Sequence, residues 1–252
     1  MSSWLRVYRV RGLAASVPGP VNQVPQPPAE TPRPAAMVRL PDLAGAPPRA
    51  VADRIKHLVV LFLIDDSGSV QPPHGTDPHA VRYAACRSVL DLMRRHGGGR
   101  AGVVHWGDTA PAELALAPVS VRRRWRRLQR ALAVRPQLGC TDPAVALARA
   151  RQLLPALAAD EKLAVLLLTD AQDLGVGLNR ELALLPPASV HLVAVDLSGD
   201  CWGQEAAWRA LPWASFTRLD RFDATDTAFA SGAALAQAIG LELAPDSNHS
   251  NK

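Results

Sequence analysis

Five oxygen-bearing side chains of this chain could do chemistry together. They are Asp65, Ser67 and Ser69 in the run Asp65-Asp66-Ser67-Gly68-Ser69, then Thr141, then Asp170. The set holds two carboxylates and three hydroxyls, all hard oxygen donors. Such donors suit Mg2+ or Mn2+, which take oxygen ligands and, in the case of Mg2+, keep several waters in an octahedral shell. A protein that contributes few negative charges leaves the ion electrophilic, so it can accept one more anionic ligand from outside. The competing reading of the same residues is a polar loop that holds no metal.

The elements that must position these groups can be read from hydrophobic periodicity. Leu58–Ile64 is a continuous apolar run, as in a parallel strand buried on both faces. Asp77-Pro78 offers a helix start, followed by an apolar stripe at Val81, Ala85, Val89 and Leu92 and a stop at Gly97-Gly98-Gly99. Residues 101–106 read as a second strand. Val121, Trp125, Leu128 and Leu132 predict a second helix with that stripe against the core. Asp142-Pro143 repeats the helix-start signal, for a helix running to about Leu157. Residues 163–169 and 190–195 read as further buried strands, 214–219 as a weak edge strand, and 179–185, 205–211 and 225–239 as helices. This alternation predicts an α/β fold, a doubly wound, mostly parallel sheet of about six strands with helices on both faces. Ligands of such sheets bind beyond the carboxyl ends of the strands. Residues 65–69 and Asp170 fall there, and Thr141 lies just before a helix.

The residues also carry a family resemblance. Asp65-x-Ser67-x-Ser69, Thr141 and Asp170 look like the metal-ion-dependent adhesion site of von Willebrand factor type A domains, whose fold is Rossmann-like. Phe62–Ser69 resembles that family's first strand and loop, and Val103-Val104-His105-Trp106-Gly107-Asp108-Thr109-Ala110 its second strand. Gly139-Cys140-Thr141-Asp142-Pro143 resembles the threonine loop, and Leu166-Leu167-Leu168-Thr169-Asp170 the aspartate motif of a later strand. The likeness covers about residues 55–240. Two positions depart from it: Ala171 and Cys140 stand where the family commonly has glycine. The resemblance implies that Ser67 and Ser69 bind the metal directly and Thr141 directly or through water. Asp65 and Asp170 would act mainly through waters or by accepting hydrogen bonds, with Asp66, Gly68 and Cys140 facing the ligand. It further implies a protein-interaction module whose partner presents an Asp or Glu, with an AAA+ ATPase of a multi-protein system among the partner classes, as in cytoplasmic bacterial members.

Rival chemistries fit the residues poorly. A response-regulator receiver needs a lysine after its last strand, and Lys56, Lys162 and Lys252 do not follow strands. A haloacid-dehalogenase-type phosphatase would want an acid where Ser67 stands. No G-x-S-x-G elbow and no GxxxxGK[ST] loop occurs. No catalytic constellation emerges, and a metal-dependent hydrolase stays as the third reading.

Composition bounds the rest. Ten of the 22 prolines fall between Val17 and Ala50, so residues 1–50 are expected to be a Pro-rich, basic tail or linker without helix or central strand. It would be a passive spacer or a peptide ligand for a partner groove. The folded domain is expected at 51–243 and a disordered tail at 244–252. Cys86, Cys140 and Cys201 form no CxxC pair and no disulfide framework. No continuous apolar segment long enough for a signal peptide or a membrane span is visible, so a cytoplasmic location with no membrane attachment is expected. The first 50 residues carry six arginines against Glu30 and Asp42, which is most of the net charge of +5. In the near-neutral remainder, Arg122, Arg123, Arg124, Arg126, Arg127 and Arg130 crowd one predicted helix. They form either a solvated face or a docking surface for an acidic protein or nucleic acid.

Overall fold

Leu58–Asp65 is a strand whose eight residues are all buried. A strand without an exposed face has to lie inside a sheet covered on both sides. The computed structural model describes residues 35–111, 116–195 and 202–244, all within the unit spanning 32–252. In chain order the elements are β1 (Leu43–Ala44), α1 (Pro48–Lys56), β2 (Leu58–Asp65), α2 (Val81–Arg95), β3 (Arg100–Trp106), β4 (Ala117–Pro118) and α3 (Arg122–Ala131). They continue with α4 (Pro143–Leu153), β5 (Lys162–Thr169), α5 (Leu178–Ala183), β6 (Val190–Val195), α6 (Trp202–Arg209), β7 (Ser215–Leu219), α7 (Ala224–Ala238) and β8 (Glu242–Leu243).

Six strands form one sheet in the order β4-β3-β2-β5-β6-β7. All neighbours are parallel except β4, which runs antiparallel to β3. The expected doubly wound α/β fold is the observed one. Alternation along the strands divides two cores. Leu58, Val60, Phe62 and Ile64 face the core built with α2 and α7, while Val59, Leu61 and Leu63 face the core built with α4 and α5. The chain leaves β2 toward β3 on one side and returns to β5 on the other, so the order reverses between β2 and β5. That switch point opens a crevice at the carboxyl ends of the two strands.

The expectation of an extended tail through residue 50 is corrected from residue 35 onward. Pro48 opens α1, because a proline at the first helical position loses no hydrogen bond. Leu40 and Leu43 are buried, and β1 pairs with β8. Leu40 packs so closely on α7 that a Cβ on Gly232 would sit 2.8 Å from its Cδ1. Leucines that reach the core hold this stretch down despite its prolines. At the other end, Ala244 still donates to the Asp42 carbonyl at 2.8 Å. Residues 1–34 and 245–252 of the two expected tails, and Cys201, lie outside the described residues.

Three local expectations also shift. Asp77 does cap a helix, accepting from the N–H groups of Val81 (2.7 Å) and Arg82 (3.1 Å), but the helix starts at Val81 because Ala80 takes a φ of +53°. α4 ends at Leu153, short of Leu157, because Leu154 precedes Pro155 and is pushed to extended backbone. Val121 is 47% exposed and stands at the N-cap of α3, so the stripe toward the core reduces to Trp125, Leu128 and Leu132. Among the described residues no helix is long and apolar enough to cross a membrane.

Candidate metal centre

Asp65 is the last residue of β2 and is fully buried. Its two oxygens are both engaged: Oδ1 accepts from the Ser67 N–H at 2.9 Å, and Oδ2 accepts from the Thr169 hydroxyl at 2.5 Å. The aspartate therefore ties the loop after β2 to the end of β5. Beyond it, the Ser67 and Ser69 hydroxyls lie 3.1 Å apart. Asp170 follows β5 and is 1% exposed. Its Oδ2 accepts from the Thr76 hydroxyl at 3.3 Å, while its Oδ1 is buried with no hydrogen-bond partner.

Two carboxyls are buried together at these strand ends. Burial, and after it the charge of Asp170, pushes the Asp65 carboxyl up to about 7, against hydrogen bonds from Thr169 and Ser67. Burial pushes Asp170 up as well, opposed by hydrogen bonds from Ser69, the Gln172 N–H and Thr76. An orphaned buried acceptor, two close hydroxyls and two mutually repelling acids fit a divalent cation. A positive ion with oxygen preference among them would satisfy the orphaned Asp170 oxygen and offset the repulsion between the acids, with the hydrogen-bonded Ser67 and Ser69 hydroxyls as further oxygen donors.

The threonine loop is laced to the same place through its backbone. Gly68 N–H donates to the Gly139 carbonyl at 2.9 Å, Leu138 N–H to the Asp66 carbonyl at 2.8 Å, and Asp108 N–H to the Leu138 carbonyl at 3.0 Å. Gly139 has a φ of +79°, and a Cβ there would lie 2.2 Å from the Asp108 carboxylate, so only glycine fits. Thr141 comes two residues later, half-buried, just before Asp142 caps α4 by accepting from Ala144 N–H at 3.1 Å. Contacts thus join Asp65, Ser67, Ser69 and Asp170, while the backbone bonds fix the loop that carries Thr141, whose own side chain makes no hydrogen bond to the four. Ala171 takes a φ of +53°, the left-handed region glycine favours, which is the backbone shape the family's usual glycine implies.

Asp66 is corrected: it does not face a ligand. It is fully buried and points away from the crevice into a closed polar network. Its Oδ1 accepts from Arg82 Nη2 (3.0 Å), from Gln71 Nε2 (2.9 Å) and from the Tyr83 hydroxyl. Its Oδ2 lies 2.6 Å from His105 Nδ1, whose Nε2 meets the Ala131 carbonyl at 2.6 Å. Arg82, also fully buried, bridges onward to Asp77 at 2.8 Å. The alternation of side chains at a strand end accounts for this: Asp65 and Asp66 must point to opposite sides. Gly68 is half-buried, and Cys140 is an exposed free thiol. Thr76, Thr169, Gln71, Arg82 and Tyr83 were not legible as site residues. Only the short Thr169-Asp170 pair carried a signal. The six arginines of α3 are all exposed, as expected.

No family model and no curated protein matches this chain. Solved structures do match. The pilus adhesin SpaC from Lactobacillus rhamnosus GG is 14% identical with a TM-score of 0.57, over 73% of this chain and 31% of that one. A von Willebrand factor type A protein from Catenulispora acidiphila is 16% identical with a TM-score of 0.53, over 72% and 43%. Proximal thread matrix protein 1 from the mussel byssus, with zinc occupying its MIDAS motif, is 21% identical with a TM-score of 0.56, over 77% and 48%. The chain thus spans about a third to a half of the length of these proteins. The class they define is the mixed α/β, Rossmann-like one. Within it, the described residues have the fold of a von Willebrand factor type A domain.

Proposed function

We propose that this chain is a divalent-metal-dependent protein-interaction module. The observation that carries the reading is the unpartnered, buried Asp170 Oδ1 in one crevice with two serine hydroxyls 3.1 Å apart. Ser67, Ser69 and Thr141 would offer hydroxyl oxygens to Mg2+ or Mn2+, and Asp170 its free oxygen. Asp65 would fix the loop, since both of its oxygens are already engaged. A bound cation supplies a Lewis-acidic position that an outside carboxylate can complete. The partner we assign is therefore a protein presenting an exposed Asp or Glu. An AAA+ ATPase is the partner class that the family resemblance adds. We assign no catalytic role.

The test is capture of a partner from lysate on the full chain, with Mg2+, with EDTA, and with Asp65→Ala or Thr141→Ala. The reading predicts capture in Mg2+ that vanishes in EDTA and with either variant. A partner retained in EDTA and by both variants overturns the metal bridge.

A further inference from the structure

The exposed arginines of α3 form a second candidate site, independent of the metal loops. Arg122, Arg123, Arg126, Arg127 and Arg130 line an open groove of about 640 Å³. Among the described residues none of them pairs with a carboxylate. Some other surface arginines do: Arg100 with Glu161, Arg151 with Glu181, and both Arg209 and Arg218 with Glu205. Arg39, Arg49, Arg180 and Arg221 stand singly on the surface without an ion pair among the described residues. α3 differs in crowding its unpaired arginines on one helix.

Local physics works against this helix in isolation. Arg122, Arg123 and Arg124 occupy its first turn, where the helix dipole disfavours cations. That turn contains no acid, and Val121 provides no side-chain cap. Arginines four apart, such as 122 and 126 or 123 and 127, repel. A sequence that breaks several local rules at one place, with no compensating partner in the fold, points to a ligand that supplies the missing charge.

The lining narrows the ligand. The groove is lined by five arginines alone, whose side chains bring aliphatic stems and N–H donors but no acceptors. An acidic peptide would bring backbone N–H groups that find no partner there. A phosphodiester backbone brings acceptors only. The helix is about 15 Å long, the span of about four phosphates along one strand of a duplex. No aromatic face is offered for base stacking, because the Arg94 guanidinium covers the Trp125 ring at 4.8 Å. We infer that the α3 groove binds the phosphate backbone of nucleic acid without reading its bases.

Fluorescence anisotropy of the full chain with labelled 20-base-pair DNA duplexes of two unrelated sequences tests this. Equal affinity for both sequences, unchanged by EDTA, is expected. About four phosphate contacts should weaken binding roughly 100-fold between 50 and 200 mM salt. Arg123→Glu/Arg127→Glu should bind at least tenfold more weakly. Arg123→Gln/Arg127→Gln should flatten the log–log salt slope by about 2. Both variants should melt at or above the wild-type temperature, since they relieve like-charge repulsion. Wild-type binding by both variants, which keep the arginines of residues 1–34, overturns the inference. So does loss of binding in EDTA, or capture of poly-glutamate with no capture of duplex.

Discussion

Asp65 and Asp66 are adjacent, equally buried and chemically identical, yet they belong to opposite kinds of site. Asp66 sits among donors from Arg82, Gln71 and Tyr83, with His105 on its other oxygen. Both of its oxygens are satisfied within the chain, and the orphan left in this network is a donor, Arg82 Nε, not an acid. Asp65 shares its crevice with a second acid, Asp170, one of whose oxygens has no partner at all. A closed polar network stabilises one geometry and needs nothing else. An incomplete one keeps free energy in reserve for whatever completes it. The difference separates a structural device from a binding site, although residue type and burial are the same.

The largest effect should come from breaking the closed network. Arg82→Met would strand the carboxylates of Asp66 and Asp77 in the core, at a cost of about 3–5 kcal/mol. Urea unfolding should show that loss, and Asp66→Asn added to Arg82→Met should recover part of it. No recovery would mean that Asp66 is not held by charge. The open site should respond in the reverse sense. An unfolded Asp65 ionises near its ordinary 3.8 and the folded one near 7. Between those values the folded chain holds a proton that the unfolded chain has lost. Metal-free stability therefore contains a component that falls as pH rises from about 4 to about 7, on the order of 4 kcal/mol. Asp65→Asn should remove that component, and so should saturating Mg2+. A wild-type and an Asn variant with parallel stability–pH curves in EDTA would show that Asp65 carries no such cost.

How much of this contrast was legible beforehand follows from the physics of each part. The buried run from Leu58 and the apolar run before Asp170 announced two central strands, because continuous hydrophobicity has few other uses at that length. Their carboxyl ends then located Asp65, Ser67, Ser69 and Asp170 without a structure. The inward turn of Asp66 was not legible. It depends on Arg82 and Tyr83 arriving from α2 and His105 from β3, and residue spacing records no such long-range meeting. The order of residues 35–44 was hidden for a similar reason. Prolines there argued for a free tail, but burial of Leu40 against Gly232 depends on the shape of α7, 190 residues later.

Smaller effects sharpen the border of the open site. Thr141 is half-buried and carries no structural hydrogen bond of its side chain that the fold depends on, so Thr141→Ala should change metal-free stability by less than about 1 kcal/mol. Wild-type protein in Mg2+ at about 100 times its dissociation constant should gain about 2.7 kcal/mol, and the variant should lose most of that gain. Cys140 is next to Thr141 but exposed, and its thiol is free. Serine in its place should leave both metal-free stability and the Mg2+ gain within about 0.5 kcal/mol. Zinc is the more demanding comparison, because thiolate is one of its preferred ligands whereas Mg2+ takes oxygen. If Cys140→Ser lowers the stabilisation by Zn2+ and spares that by Mg2+, the thiol reaches the metal and the border of the site lies one residue further out than its oxygen donors. If both gains are untouched, the open site ends at Thr141.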